Sequence, residues 1–368
     1  MSINRVEDEL WMQHALRLAR HGQGAVEPNP LVGAVVLSAD GRLVGEGWHQ
    51  KFGGPHAEVH ALELAGALAQ GGTLYVTLEP CCHIGKTPPC TEVVLKSGVH
   101  RAVVAMPDPF PKVAGGGLAI LRGEGLAMAV GICESDARKL NAPYLKLLRT
   151  GKPWVIAKWA MTLDGKISTH TGDSKWISSE ASRARVHELR GRVDAILVGR
   201  GTLVADDPLM KARPSGLRTA TRVVMTGSAD LPETCQLRTT ASEVPVLVFT
   251  SKANVSKLHG WIDDGAEVVS VPCGDNALSV DEILKELGRR LMTNVLVEGG
   301  AGVLGAFLDA GEIDEVWAFV APKLVGGATA PSPIAGRGLA NMNEALQSGQ
   351  VVVETIGDDV LIRAIIKQ

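Results

Sequence analysis

Between His56 and Cys90 the chain gathers three of its six cysteines and three of its ten histidines, with a glutamate two positions after the first of those histidines. The stretch opens as His56-Ala57-Glu58 and passes through the apolar run Thr73-Leu74-Tyr75-Val76-Thr77-Leu78. It closes as Glu79-Pro80-Cys81-Cys82-His83-Ile84-Gly85-Lys86-Thr87-Pro88-Pro89-Cys90. Thiolates and a neutral imidazole are borderline-soft donors that suit Zn²⁺, and a site with three protein ligands leaves its fourth position for water. Two thiolates cancel the metal's charge, so such a water becomes nucleophilic but its proton needs a nearby acceptor. Glu58 is placed to be that acceptor.

A His-x-Glu followed by Pro-Cys and a second Cys is the signature of zinc deaminases, in which the glutamate moves the proton and does not bind the metal. Here the second cysteine comes nine residues after the first, in place of the shorter Cys-x-x-Cys. Ala57, Ala61, Leu64, Ala65 and Leu68 repeat at helical spacing, which predicts a helix from about His56 until Gly71-Gly72 stop it. Positions 56 and 58 lie about 200° apart on a regular helix, so both side chains converge only if His56 sits at its very start. Thr87-Pro88-Pro89 reads as a cap and first turn that put Cys90 at a helix N-terminus, where the dipole favours thiolate. Three other arrangements compete. One is a structural zinc site completed by Cys82 or His83, another a pair of ligands at His56 and His60, and the third a set of ordinary buried thiols.

With Pro28-Asn29-Pro30-Leu31-Val32-Gly33 upstream and Thr-Pro-Pro-Cys closing the loop, the stretch closely resembles the bifunctional deaminase-reductase family of riboflavin biosynthesis, RibD. The resemblance implies a cytidine-deaminase-like α/β/α domain at the N-terminus, with His56, Cys81 and Cys90 as zinc ligands and Glu58 as the proton shuttle. Cys82 stands where the family more often has serine; Cys81, directly after Pro80, is taken as the ligand. Asn29, His49, His83 and Lys86 match family positions lining a pyrimidine phosphate substrate.

The chain's 368 residues exceed one average domain, so two are expected. A net charge of −3 and only 4% aromatic residues provide no basic stripe or stacking platform, which argues against a nucleic-acid deaminase with an accessory domain. Acidic substrates must be met by individual Lys or Arg side chains. Cys133, Cys235 and Cys273 are scattered, so no disulfide framework is evident and a reducing cytosol is the natural compartment. The first ten residues are too acidic and polar for a signal peptide, and no apolar run approaches the roughly 18 residues a membrane span needs.

The elements that must position these residues follow from periodicity. Residues 7 to 20 pattern as an amphipathic helix. Pro28-Asn29-Pro30 is a rigid segment that holds the Asn29 amide in place. Val32 to Leu37 and Arg42 to Trp48 read as strands joined through Ala39-Asp40-Gly41. Arg101 to Met106 and Leu126 to Val130 are further strands, Gly117 to Arg122 and Glu134 to Leu148 helices. Strands alternating with helices imply a sheet covered on both faces, with sites at strand ends. Arg149-Thr150-Gly151-Lys152-Pro153 reads as a boundary, dividing a zinc-dependent pyrimidine deaminase domain over residues 1–148 from a reductase domain over 153–368.

The second half holds no metal-ligand cluster; His170, His187 and His259 are isolated. Trp154 to Ala160 and Ala195 to Val198 read as strands. So does Asn294 to Glu298, running into Gly299-Gly300-Ala301-Gly302-Val303-Leu304-Gly305. A glycine-rich helix start cradles phosphate with backbone N–H groups. Gly300-x-Gly302-x-x-Gly305 matches the dinucleotide fingerprint letter for letter. A Rossmann fold, however, needs it after an early strand with an acidic residue about 20 positions on, and Asp314 and Glu315 come too early. Phosphate binding is therefore expected and a Rossmann fold is not. Val316 to Val320, Val351 to Glu354 and Val360 to Ile366 complete a sheet. In order, these segments resemble the riboflavin reductase domain, which implies a dihydrofolate-reductase-like α/β fold and NADPH. That resemblance places Ala160, Trp176, Thr202, Asp206 and the run Gly300, Ala301, Gly302, Val303, Leu304, Gly305 and Ala306 at the cofactor. It places Ser174, Arg190, Arg213 and Glu298 at the ribosyl phosphate, and Lys158 as the group that polarises or protonates the reacting atom.

Overall fold

The computed structural model describes residues 5–84, 88–274 and 277–367, and divides into two compact units, Met1–Thr150 and Gly151–Gln368.

The first unit is built on five strands, β1 (Gly33–Leu37), β2 (Leu43–Trp48), β3 (Thr73–Val76), β4 (Arg101–Val104) and β5 (Ala127–Val130), in the order β2-β1-β3-β4-β5. β1 runs antiparallel to β2 and β3, and β3, β4 and β5 are parallel. Alternate side chains of a strand face opposite sides. Val35 and Leu37 accordingly pack with Met12, Leu16 and Tyr75 on one face, and Ala34 and Val36 with Ala61, Leu74 and Leu121 on the other. Helix Ala57–Ala65 lies on this second face directly over β2. A Cβ at Gly45 would come within 2.0 Å of the Ala61 carbonyl oxygen, and one at Gly47 within 2.5 Å of the Ala57 oxygen. Glycine at both positions is what lets the helix sit so low.

Two helix extents differ from the periodicity. The helix after His56 stops at Ala65, because Gly66 turns to φ +52, and only a 3₁₀ segment, Gly66–Ala69, continues toward Gly71. The single helix expected over 134–148 is two, Glu134–Leu140 and Ala142–Thr150. Between them the buried Asn141 side chain accepts from the Leu31 N–H at 2.8 Å and donates to the Leu31 carbonyl at 3.0 Å. That pairing ties the break to the segment bearing Asn29. Among the described residues no helix is long and apolar enough to cross a membrane.

The second unit carries nine strands: β6 (Trp154–Thr162), β7 (Ala195–Gly199), β8 (Thr221–Met225), β9 (Val246–Thr250), β10 (Glu267–Ser270), β11 (Asn294–Val297), β12 (Glu315–Ala321), β13 (Ser348–Ile356) and β14 (Asp359–Ile366). Their order is β10-β9-β8-β7-β11-β6-β12-β14-β13. The pairs from β10 to β12 are parallel, and β14 joins antiparallel to β12 and β13. Separate apolar cores cover the two faces, one around Leu189, Ile196 and Val224, the other around Leu197, Leu284 and Phe307. The central strands β7, β11 and β6 therefore direct their C-terminal ends to one edge, where ligand-binding loops of parallel sheets gather.

Candidate active sites

Three chain segments meet at the first site. β3 leaves the sheet at Val76 and reaches Cys81 five residues later. His56 is the N-cap of helix Ala57–Ala65, with extended backbone (φ −79°, ψ 168°), and Cys90 is the first residue of helix Cys90–Lys96. The cap of that last helix is Pro89, two positions after the Thr87 cap expected from Thr87-Pro88-Pro89. The extended backbone at His56 overcomes the helical divergence of residues 56 and 58. His56 Nδ1 lies 3.2 Å from Cys90 Sγ and 3.5 Å from Cys81 Sγ, and all three ligand atoms fall within 4.8 Å of one another. A tetrahedral zinc site with bonds of about 2.0–2.3 Å requires neighbouring ligand atoms roughly 3.4–3.8 Å apart, so the donor set fits that ion in chemistry and spacing. Cys82 Sγ faces the Lys112 carbonyl instead, and neither Cys82, His83 nor His60 joins the group.

The electrostatics agree. The Cys81 thiol is pushed down to about 4 by hydrogen bonding from Cys90, against burial, with His56 adding to the effect. Cys90 is pushed up by the Cys81 hydrogen bond and by burial. The pair shares a proton of the kind that a divalent cation displaces. Glu58 is buried, and burial raises its carboxyl to about 7, with His56 opposing. Its Oε2 has no hydrogen-bond partner among the described residues. A buried carboxylate oxygen left unpaired costs stability and marks a place where a ligand or water completes the site.

Around this centre, Asn29 Nδ2 lies 3.2 Å from His49 Nε2, and His49 Nδ1 lies 3.0 Å from the Pro55 carbonyl oxygen. A carbonyl only accepts, so Nδ1 carries the proton and Nε2 accepts from the amide. Burial lowers the His49 pKa and keeps the ring neutral, and it meets the His56 ring edge-on at 5.2 Å. His83 rests against Phe110, ring centroids 6.1 Å apart, with its Nδ1 buried and unpartnered among the described residues. Lys86 lies outside the described residues.

The second site forms at the central strands of the nine-stranded sheet. The β6–β11 register pairs Ala157 with Val297, which sets Lys158 beside Glu298 just beyond the end of β11. Arg190, last residue of helix Glu180–Arg190, donates from Nε and Nη2 to the two Glu298 oxygens, each at 2.6 Å. Burial alone would raise the Glu298 carboxyl, but Arg190 holds it down to about 2. Lys158 is lowered by burial, opposed by Glu298 and assisted by Arg190. His187, one turn before Arg190, is lowered by burial and then by Arg190 and Arg213, so it shares this electrostatic environment. Its i, i+3 spacing to Arg190 is the sequence signal that joins it to the group.

Beside this cluster, Gly300 caps helix Ala301–Asp309 at φ +26°, and a Cβ there would stand 3.2 Å from Thr202 Oγ1. Gly299 approaches Val198 so closely that a Cβ would meet its Cα at 2.6 Å, while Gly302 faces open space. The turn thus offers bare amides at a helix start, a cradle that fits a phosphate of a dinucleotide. Ala301, Val303 and Ala306 are partly buried, Leu304 is core, and Gly305 packs against the Ala335 backbone, so these last two shape the turn from behind. Ala160 pairs with Phe319 on β12. Trp176 is exposed beneath the Arg183 guanidinium at 4.6 Å, Ser174 is half-buried, and Asp206 and Arg213 are exposed. A separate cavity of about 610 Å³ lined by Asp230, Thr234, Arg238, Lys257 and Trp261 shares no residue with either site.

The family model described as the RibD C-terminal domain matches residues 153–362, and that of the cytidine and deoxycytidylate deaminase zinc-binding region matches residues 5–106. The riboflavin biosynthesis protein RibD of Bacillus amyloliquefaciens is 41% identical over 362 residues, covering 98% of this chain and 96% of the relative. That of Escherichia coli K12 is 36% identical, covering 98% and 100%. Among solved structures, Acinetobacter baumannii RibD superimposes with a TM-score of 0.86 at 37% identity, covering 99% of this chain and 100% of the other. The Thermotoga maritima diaminohydroxyphosphoribosylaminopyrimidine deaminase/5-amino-6-(5-phosphoribosylamino)uracil reductase gives 0.86 at 36% identity, covering 99% of each.

Proposed function

The chain belongs to the RibD family, and from that premise we propose that it is the bifunctional zinc-dependent deaminase and NADPH-dependent reductase of riboflavin biosynthesis. Its first substrate is then diaminohydroxyphosphoribosylaminopyrimidine, and its second is 5-amino-6-(5-phosphoribosylamino)uracil. The observation that carries the reading is the convergence of His56, Cys81 and Cys90 beside a glutamate whose buried Oε2 has no partner among the described residues.

In the first unit His56 Nδ1 and the sulfurs of Cys81 and Cys90 would hold zinc, which would supply a Lewis acid that makes water reactive near neutral pH. Glu58, buried with its Oε2 free of any partner among the described residues, takes a proton at Oε2 and returns it to the departing ammonia, as a positioned carboxylate does in general acid–base catalysis. Asn29 and His49 form a fixed donor–acceptor pair beside the metal, and His83 and Lys86 complete the contacts to the pyrimidine and its phosphate. The scattered free thiols suit a reducing cytosol.

In the second unit the nicotinamide cofactor supplies the two-electron reduction. Gly300 and its neighbours cradle a cofactor phosphate, with Thr202, Asp206, Ala160 and Trp176 orienting the rest. Lys158 supplies the proton taken up as the ribosyl ring opens to ribityl. Its lowered pKa makes that transfer easier. Arg190 and Glu298 act as one unit that keeps the sugar in register, with Ser174 and Arg213 toward the phosphate. Purified protein given the diamino substrate releases ammonia without NADPH and accumulates the ribityl product only when NADPH is added. Product identification by mass spectrometry decides, and absence of ammonia release rejects the reading.

A further inference from the structure

Glu79 is a buried carboxylate that no step above uses. It leaves β3 three residues after Val76, and its own N–H donates to the Met106 carbonyl at 3.0 Å. Its Oε2 accepts from the N–H groups of Asp108 and Gly115, and its Oε1 from the N–H of Leu118, each at 3.1 Å. Three backbone donors, one from the loop at Asp108 and two from the cap and first turn of helix Gly116–Gly123, thus converge on a single side chain, a count that suits a carboxylate, which only accepts. The same loop is ordered internally. Asp108 Oδ1 accepts from the Phe110 N–H at 2.9 Å and from the Tyr144 hydroxyl at 3.0 Å. It also presses on the turn after Glu79: a Cβ on Gly117 would lie 2.0 Å from the Pro80 oxygen, and one on Gly116 would lie 2.9 Å from Cys82 Sγ.

The loop ends in a contact with the site. Phe110 carries the ring against which His83 rests, and the Nδ1 of His83 is buried without a partner among the described residues. From these contacts we infer that Glu79 is a positioning residue for the deamination reaction: its carboxylate organises residues 108–118 into a wall whose Phe110 sets the His83 ring toward the pyrimidine substrate. The Glu79 carboxylate is taken up by backbone N–H groups of residues 108–118 and is not one of the grouped ligand atoms, so it acts through that segment. A glutamine in its place presents one amide N–H₂ to donors that need an acceptor, so the clasp opens on that side. This inference rests on the deaminase reading and concerns substrate affinity, not the metal.

The test compares full-length wild type, Glu79→Gln and Phe110→Ala for ammonia release, zinc content and reductase turnover. The expected result is a rise of about tenfold or more in KM for the diamino substrate in both variants. The change in kcat should be much smaller, zinc should remain at one per chain, and reductase turnover should report an intact chain. An unchanged KM in Glu79→Gln overturns the inference. So does loss of zinc in step with activity, because Glu79 would then be supporting the Cys81 turn. If Glu79→Gln is insoluble, Phe110→Ala decides: an unchanged KM there overturns the wall. Failure of the wild type itself to release ammonia overturns the deaminase reading, and the inference with it.

Discussion

Glu298 receives both prongs of the Arg190 guanidinium in an almost sealed environment, their side chains 6% and 17% exposed. Neither residue is therefore free to meet substrate by itself, and the two should behave as one unit. We expect Arg190→Ala and Glu298→Ala each to abolish most reductase activity, and the double variant to lose little more. Each single change also leaves a buried charge unpaired, at a cost on the order of 3–5 kcal/mol. A double-mutant cycle read by urea unfolding should give a coupling energy above about 1.5 kcal/mol; additive effects would show that the pair does not act together.

Glu58→Gln should reduce ammonia release by a factor of about 10²–10⁴, the range general acid–base groups contribute. Zinc content should be unchanged, because the carboxylate lies beside the His56, Cys81 and Cys90 ligand atoms without belonging to them. Metal analysis and an ammonia assay on the same preparation distinguish this from a structural role.

Chelation should divide the two activities. Stripping zinc is expected to remove deamination and lower the unfolding midpoint of the first unit, since a metal bound only by the folded state stabilises it by mass action. NADPH-dependent turnover of the second substrate should persist. Restoring zinc should recover deamination.

The acid limb of stability is expected to involve Asp8. Burial would raise its pKa, but hydrogen bonds from Arg101 and Tyr75 and the Arg101 charge bring it below the ordinary value. A carboxyl depressed by folding contributes stability that is complete above its unfolded pKa of about 4 and is lost as pH falls through the lower folded value. The difference in urea midpoint between wild type and Asp8→Asn should thus be largest near neutrality and shrink below about pH 4. A difference that is flat across pH would remove the ion pair from the account.

Gly300→Ala should raise KM for NADPH, because the position is at φ +26° and its Cβ would crowd Thr202 Oγ1 at 3.2 Å. Gly302→Ala, which meets nothing within 4 Å in the protein, should fold normally and lose affinity only through the space a phosphate would fill. Cofactor titration by fluorescence measures both.

The grouping of His56, Cys81 and Cys90 was legible because the three lie in a short motif, and the strand Gly33–Leu37 because its apolar run packs against a core on each face. Other features depended on contacts distant in sequence. The break at Asn141 exists to bond Leu31, 110 residues away, which no helical periodicity encodes. Strands β8 to β10 escaped motif reading because they are short and carry no motif: β9 is a five-residue buried run, and β10 has four residues with Glu267 and Ser270 exposed at its ends. β8 contains the fully buried Arg222, whose Nη1 donates to the Thr240 hydroxyl and whose Nη2 donates to the Thr240 and Val244 carbonyls, while its Nε has no partner among the described residues. Glu79 lies within the metal stretch, but its three backbone partners come from residues 108–118, whose path only the fold reveals.

The bare strand beneath helix Ala57–Ala65 means that chemistry is constrained from below as well as from the substrate side. Any methyl added at Gly45 or Gly47 must lift the helix, and His56 and Glu58 ride on its first turn. Variation at these two distant-looking positions would therefore be felt at the reaction as well as in the packing, and a screen for activity alone would score both among the residues of the reaction.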